Sequence, residues 1–523
     1  MRNNITFKRS SGIILHPTSL PAPDGIGDLG PSAYHWLDTL AQTGCSLWQV
    51  LPLGPTGYGD SPYQCFSAFA GNPYLVSSEL LLEEGLLSPT DLLDRPIFPL
   101  DRVDFGRVIP WKLEILQRAF HNYKNRASAK TKQAFKTFQE TQSEWLDEYA
   151  VFMAIKQTQS YVAWNHWPQP LRQREEKALA EFEKRHRETI LQHKFFQFLF
   201  FKQWIELKEY AHQKGIQIIG DIPIFVAHDS ADVWACPQMF YLKANGSPSV
   251  VAGVPPDYFS PTGQLWGNPL YRWNLHKKNG FSWWIARIRA MLQLVDIIRL
   301  DHFRGFAAYW QVPANRPTAE YGKWVKGPGA SLFVAIKNAL GEIPIIAEDL
   351  GFITPDVVRL REQFNFPGMK ILQFAFSDGP QNRFLPHNYP ENCVVYTGTH
   401  DNDTVQGWYA SAPEKERDFC RRYLARSGED ISWDLIRAAW SSVAIMALAP
   451  MQDVLNLGNE ARMNYPSRPM GNWTWRMLPD AFTPEITQRL SETNYLYKRS
   501  SQVVEEDEHL LTEKELYEQL YQH

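Results

Sequence analysis

Eight short runs of aliphatic and β-branched residues, set apart by stretches of helical periodicity, constrain this chain more than any other feature. They fall at Gly12–Leu15, Leu47–Leu51, Ile216–Ile219, Val295–Leu300, Ile343–Ala347, Lys370–Phe374, Cys393–Thr397 and Asp453–Leu457. Largely continuous Val, Ile and Leu without polar alternation suits strands buried on both faces, as in parallel sheets. Several of the intervening helices carry end signals. Ser32–Thr43 stops at Gly44, Phe195–Lys214 at Gly215 and Ser331–Leu340 at Gly341, while Thr354-Pro355-Asp356 opens another with an N-cap and a first-turn proline. Strand–helix alternation repeated eight times predicts an α/β fold, a closed (β/α)8 TIM barrel. An open doubly wound sheet is the alternative, and it is weakened by the lack of a GxGxxG turn after the first run.

The spacing is uneven, and the two widest gaps predict insertions into one barrel domain spanning 1–523. Residues 77–205 read as a mostly helical insertion, charged and amphipathic over 91–187. Residues 226–284 read as a long loop, rich in Pro, Gly and aromatics and poor in helix pattern. An irregular segment of that length is usually functional. A capping box at Thr512–Glu515 predicts a terminal helix.

Composition excludes several classes of partner. Lys plus Arg is 53 and Asp plus Glu is 57, a net charge of −4, so there is no electrostatic footprint for nucleic acid or an anionic membrane. The five cysteines are scattered without a CxxC, which predicts reduced thiols in a cytoplasmic protein and no zinc site. The first residues lack the apolar segment of a signal peptide, and no run is long enough to span a membrane. No HExxH or EF-hand loop occurs, so neither a metal nor a cofactor is expected.

Three acidic residues end predicted strands: Asp301 in RLDHFRGF, Glu348 in IIAEDLG and Asp401 in GTHDND. In a (β/α)8 barrel such ends share one mouth, where active sites are built. A single acid there is ordinarily a helix cap; three in equivalent places are a candidate site. Arg299 and Asp301, two apart on a strand, point to one face, and the cation favours an ionised Asp301, the state a nucleophile needs. Glu348, among other anions in a closed site, has its proton held on and can act as an acid. Glycosyl transfer uses such a divided pair. Asp401 and His400 can hold sugar hydroxyls. The Gly54–Ser61 stretch lacks the Gly-Lys-Ser/Thr of a phosphate loop, so Ser61 and Tyr63 are assigned to sugar instead. Asp221, His302, Asn402, Gln452 and Asp453 are further candidate contacts. In the second insertion Asp257, Tyr258, Phe259 and Trp266 stand in a loop shaped by Pro and Gly, where flat rings can stack on sugar C–H faces.

These blocks resemble glycoside hydrolase family 77, the amylomaltases or disproportionating enzymes. The resemblance also covers LHPTSLPAPDGIGDLG, WQVLPLGPTGYGDSPYQCFSAFAGNPYL, GDIPIFVAHDSADVWACP, GVPPDYFSPTGQLWGNPLY and MQDVLNLGNEARMNYP, in order along nearly the whole chain. It implies Asp301 as nucleophile, Glu348 as acid/base and Asp401 as transition-state stabiliser, with Val254–Gly267 as a loop over the glucan cleft. The implied activity is retaining transfer of α-1,4-glucan segments to the 4-OH of glucose or of another glucan, with cyclisation of long chains as a further product. The implied partners are maltooligosaccharides, amylose, starch or glycogen chains as donors and glucose as acceptor. A retaining hydrolase shares the carboxylates and differs in whether water takes the glycosyl group. A non-catalytic glucan-binding barrel would have lost a carboxylate, and all three are present.

Overall fold

The computed structural model describes residues 7–256, 260–466 and 468–500. In chain order its strands are β1 (Ser10–Ile14), β2 (Leu47–Gln49), β3 (Gln217–Pro223), β4 (Val250–Val254), β5 (Gln264–Pro269), β6 (Ile297–Asp301), β7 (Ala308–Pro313), β8 (Lys323–Lys326), β9 (Ile345–Ala347), β10 (Gly368–Ile371), β11 (Cys393–Tyr396) and β12 (Met446–Pro450). Eight of them close a parallel barrel in the order β1-β12-β11-β10-β9-β6-β3-β2. Chain order and spatial order coincide around the ring, as successive βα units require.

Alternate residues of the barrel strands point inward, and Ile14, Leu47, Ile219, Ile297, Ile346, Val394 and Leu448 fill the lumen as a cluster of their own. Burying each such side chain is worth about 1.5–3 kcal/mol. Above this plug the inward positions turn polar: the Tyr396 hydroxyl donates to Gln49 Oε1 at 2.9 Å, and Asp221 and Arg299 lie at the same level of β3 and β6. The barrel is thus dry below and polar toward its C-terminal mouth. The helices pack outside. Gly44 takes φ 76° after the helix Pro31–Gln42 and Gly215 takes φ 72° after Arg187–Gln213, a left-handed turn that glycine adopts without steric cost.

Between β2 and β3 the chain is helical, with long helices at Phe105–Arg126, Ala129–Thr141, Ser143–Thr158 and Arg187–Gln213. Phe195 and Phe198 of the last pack against Phe135, which fixes the helices to one another. Two polar ties fix them to the barrel. Trp204 Nε1 donates to the Leu294 carbonyl at 2.8 Å. Lys112, fully buried, donates to the Val76 carbonyl at 2.6 Å and lies 3.2 Å from Asp24 and 3.9 Å from Asp28, both in the loop after β1.

Three expectations are corrected. The eighth barrel strand is Met446–Pro450, not Asp453–Leu457; Met451–Val454 is a short helix, so Asp453 follows the strand. The sixth stops at Ile371, with Leu372–Phe374 a 3-10 turn. Residues 226–284 are more regular than their composition suggests. They hold β4 and β5, which join β7 and β8 in an antiparallel sheet ordered β5-β4-β7-β8, and short helices at Ala231–Ala235 and Trp273–Lys278. Thr512–Glu515 lie outside the described residues. No helix among the described residues is long and apolar enough to cross a membrane.

Candidate active site

Register brings the first two carboxylates side by side. Leu300 of β6 pairs with Ala347 of β9, so Asp301 and Glu348 stand next to each other at the ends of neighbouring strands, on chains about 4.8 Å apart. From β3, Asp221 pairs with Arg299. One Arg299 nitrogen, Nη1, donates to Asp221 Oδ2 at 2.6 Å and to Asp301 Oδ1 at 2.9 Å, so a single buried cation holds both acids. The Tyr63 hydroxyl, from the loop after β2, donates to the same Asp221 oxygen at 2.7 Å. Burial opposes charge on Arg299, but the two carboxylates override it and hold the guanidinium well above its ordinary value. Burial raises Asp221, against the pull of Arg299.

Glu348 is set apart from its neighbours. Its proton affinity is pushed up to about 8, by burial first and by the nearby charge of Asp301 second, with Arg299 opposing. Two backbone amides cradle the group: His302 N–H donates to Oε2 at 2.7 Å and Leu350 N–H to Oε1 at 2.8 Å. The first of these bonds is made from an unusual backbone, since His302 sits at φ 52°, in the left-handed region that non-glycine residues rarely adopt. Strain of this kind concentrates at functional sites. The His302 ring meets Trp266 of β5 edge-on, with centroids 4.7 Å apart, and burial lowers the imidazole to about 4. The small antiparallel sheet therefore reaches the mouth through Trp266.

The third carboxylate faces the others from β11. Asp401 is half exposed; Asn464 Nδ2 donates to its Oδ1 at 2.6 Å, and Arg462 Nη2 donates to its backbone carbonyl at 2.7 Å. His400 Nε2 lies 3.4 Å from the same Oδ1. The His400 ring stacks on Tyr63 at 4.9 Å, which joins this side of the mouth to the Asp221–Arg299–Asp301 chain. Tyr63, Asp221, Arg299, Asp301, His302, Glu348, His400, Asp401 and Trp266 thus surround one opening.

The other candidates are used differently. Ser61 Oγ accepts from Tyr63 N–H at 3.2 Å and shapes the turn that presents Tyr63. Asn402 Oδ1 accepts from the Thr399 amide and hydroxyl at 2.9 and 2.8 Å, bracing the loop after β11. Gln452 is buried and donates to the Ala461 carbonyl at 3.2 Å; it lines, with His400, Asn402 and His16, a cavity of about 30 Å³ beside Asp401. Asp453 is fully buried; its Oδ2 accepts from Thr397 Oγ1 at 2.6 Å and its Oδ1 from Val405 N–H at 2.7 Å, so it pins the start of the helix Val405–Ser411. Asp257, Tyr258 and Phe259 lie outside the described residues.

Sequence reasoning missed three residues at the mouth. His16, just past β1, is buried with Nδ1 lacking a partner among the described residues. Asn464 and Arg462 clamp Asp401 from a segment with no strand before it. All three stand in the motif blocks quoted above, yet none follows a predicted strand as an acid, which was the signal used.

A closed parallel barrel with one carboxylate bonded to a buried cation and a neighbouring carboxylate cradled by backbone amides at its C-terminal mouth defines the class: a (β/α)8-barrel enzyme equipped for two-carboxylate chemistry. Comparison with known proteins narrows this. The family profile of glycoside hydrolase 77, described as 4-alpha-glucanotransferase, matches residues 15–481, and the chain belongs to that family. The 4-alpha-glucanotransferase of Thermus thermophilus is 55% identical over 490 residues, covering 92% of this chain and 97% of that protein. The chloroplastic/amyloplastic 4-alpha-glucanotransferase of Solanum tuberosum is 47% identical over 477 residues, covering 90% and 82%. Among solved structures, the amylomaltase of Streptococcus agalactiae in complex with acarbose superposes with a TM-score of 0.91 at 40% identity, covering 94% of this chain and all of that one.

Proposed function

We propose that this 4-α-glucanotransferase works by retaining double displacement, with Asp301 as nucleophile, Glu348 as acid and then base, and Asp401 as the carboxylate that grips sugar hydroxyls. The observation that carries the assignment is the contrast between the two neighbouring acids. Asp301 is bonded to the Arg299 cation, while Glu348 keeps its proton up to about 8. In the first step Asp301 attacks the anomeric carbon as Glu348 protonates the departing glycosidic oxygen, leaving a glycosyl ester on Asp301 and a shortened glucan. In the second step the Glu348 carboxylate takes the proton of an acceptor 4-OH, whose oxygen attacks the same carbon and frees Asp301. Two inversions retain the α configuration, and the carboxyl groups should stand about 5–5.5 Å apart in a glucan-bound state. Oδ2 of Asp401, which has no hydrogen-bond partner among the described residues, lines with His400, Tyr63 and Asp221 the pocket for the ring being transferred.

The donors are α-1,4-linked maltooligosaccharides and the chains of amylose, starch or glycogen, and glucose is an acceptor. Long donors can close on their own 4-OH and cyclise. Trp266, edge-on to the His302 ring at the mouth, helps orient the acceptor and keep water from the glycosyl ester, a task the sequence also assigns to Tyr258 and Phe259. The five free cysteines suit a cytoplasmic location. The test is incubation with maltotriose alone. A ladder of longer maltooligosaccharides with free glucose supports transfer; glucose and maltose without longer products would mean hydrolysis and overturn the proposal.

A further inference from the structure

The loop that carries Glu348 continues through Asp349 and Leu350 to Gly351 and Phe352. Gly351 takes φ 77°, so the chain turns sharply there, and Phe352 is thrust outward with 73% of its surface exposed. An exposed ring at a loop tip is ordinarily of no consequence. This one is different because its backbone is gripped from both sides. Arg304 Nη1 donates to the Phe352 carbonyl at 2.9 Å, and Arg383 Nη2 donates to the Gly351 carbonyl at 3.2 Å. Leu350 N–H is in turn bonded to Glu348, so the segment from the acid to the ring is fixed at both ends.

Arg304 does a second thing. It is itself buried, 6% exposed, and its guanidinium carbon lies over the Trp324 ring, 3.8 Å from the centroid. Trp324 comes from β8, the edge strand of the antiparallel sheet, and is 40% exposed. One cation, three residues after Asp301, therefore ties the backbone of one exposed aromatic residue to the ring of another from a different part of the chain. Neither ring was singled out by the motif reading, and neither is used by the two-carboxylate chemistry.

We propose that Phe352 and Trp324, locked together by Arg304, form an aromatic platform on the Glu348 side of the mouth that stacks on the glucan chain entering as acceptor. This rests on the glucanotransferase reading above. The side follows from the chemistry: Glu348 gives its proton to the departing oxygen and later takes one from the arriving hydroxyl, so the glucan exchanged lies against the loop that bears it. The ligand class follows from the surface. Flat apolar faces beside a fixed cation match the C–H faces and hydroxyl edges of pyranose rings. A platform four residues beyond the acid meets rings further along the acceptor, not the one whose 4-OH reacts, so its effect grows with acceptor length.

The test uses maltotriosyl fluoride as donor and compares glucose with maltotriose as acceptor, following maltotetraose and maltohexaose respectively. In Phe352→Ala, a change at a ring that is largely exposed, kcat/KM for maltotriose as acceptor should fall about 5-fold, the factor one aromatic stacking contact supports. For glucose it should fall less than about 2-fold on the same reasoning. Phe352→Trp should restore the preference for the longer acceptor. Equal losses for both acceptors, or none for either, would overturn the platform while leaving the enzyme's function intact. Absence of any transfer product from the unaltered protein would overturn the function itself, and the platform with it.

Discussion

Replacing Glu348 by Gln should change how the stability of the protein responds to pH, by an amount that follows from the site. The folded chain holds the Glu348 proton up to about 8, against an ordinary value of 4.5. A carboxyl raised in this way contributes stability that is fully present below its unfolded value and is lost as pH rises through the folded one. At about 1.36 kcal/mol per unit the full displacement is worth at most about 5 kcal/mol. Glu348 is partly exposed at the mouth and shares its field with Asp301, so we discount this to about 2 kcal/mol. Gln cannot ionise, and its amide turns a donor toward either the His302 or the Leu350 N–H, a pH-independent cost of about 1–3 kcal/mol. The variant should therefore be the less stable protein near pH 4.5, and the gap should close as pH rises to 9. For a chain of this size that change amounts to about 2 °C in the difference of melting temperatures. Thermal melts of both proteins in matched buffers across the range measure it. A melting-temperature difference that stays constant from pH 4.5 to 9 would refute the account of Glu348.

Two further outcomes follow. In kinetics with natural glucans, kcat/KM should fall above about pH 8, as the free enzyme loses the Glu348 proton it must donate; with maltotriosyl fluoride, whose leaving group needs no proton, the alkaline fall in fluoride release should disappear, and its persistence would assign the limb to another group. In the fold, Lys112→Met should cost about 3–5 kcal/mol at neutral pH by leaving Asp24 and Asp28 buried without their shared cation. The loss should shrink as pH falls toward about 6, where Asp28 takes its proton even beside Lys112, and a pH-independent loss in melts would point to packing instead.

The barrel was legible because most of its strands are made of residues that favour strands. Ile, Val and Leu in β3, β6, β9 and β11 suit a pleated surface buried on both faces. The eighth failed for the same reason in reverse. Met446-Ala447-Leu448-Ala449 is rich in helix formers and follows the helix Ile431–Ser441 closely, so nothing local separates the two. Its place is set by pairing with β1 and β11, which are distant in sequence. The antiparallel sheet was hidden similarly: β4 and β5 precede β6, while β7 and β8 follow it, and only the assembled sheet shows why Val250–Val254 and Gln264–Pro269 are strands. At the mouth, acids after strands could be read from pattern and spacing. The partners that orient them could not. Asn464, Arg462 and Arg304 reach Asp401 and the Glu348 loop across the fold, and no periodicity marks them. Asp453 shows the converse, an acid in a suggestive place whose two oxygens are spent within the protein.

The central claim is that Asp301 becomes covalently glycosylated while Glu348 supplies the proton traffic. Glu348→Gln treated with maltotriosyl fluoride isolates it, because the fluoride departs without an acid and the second step then lacks its base. The account predicts that the protein gains the mass of one maltotriosyl group, and that peptide mapping finds this mass on the fragment holding Asp301. A label on Asp401, or fluoride release with inverted product and no label, would contradict it.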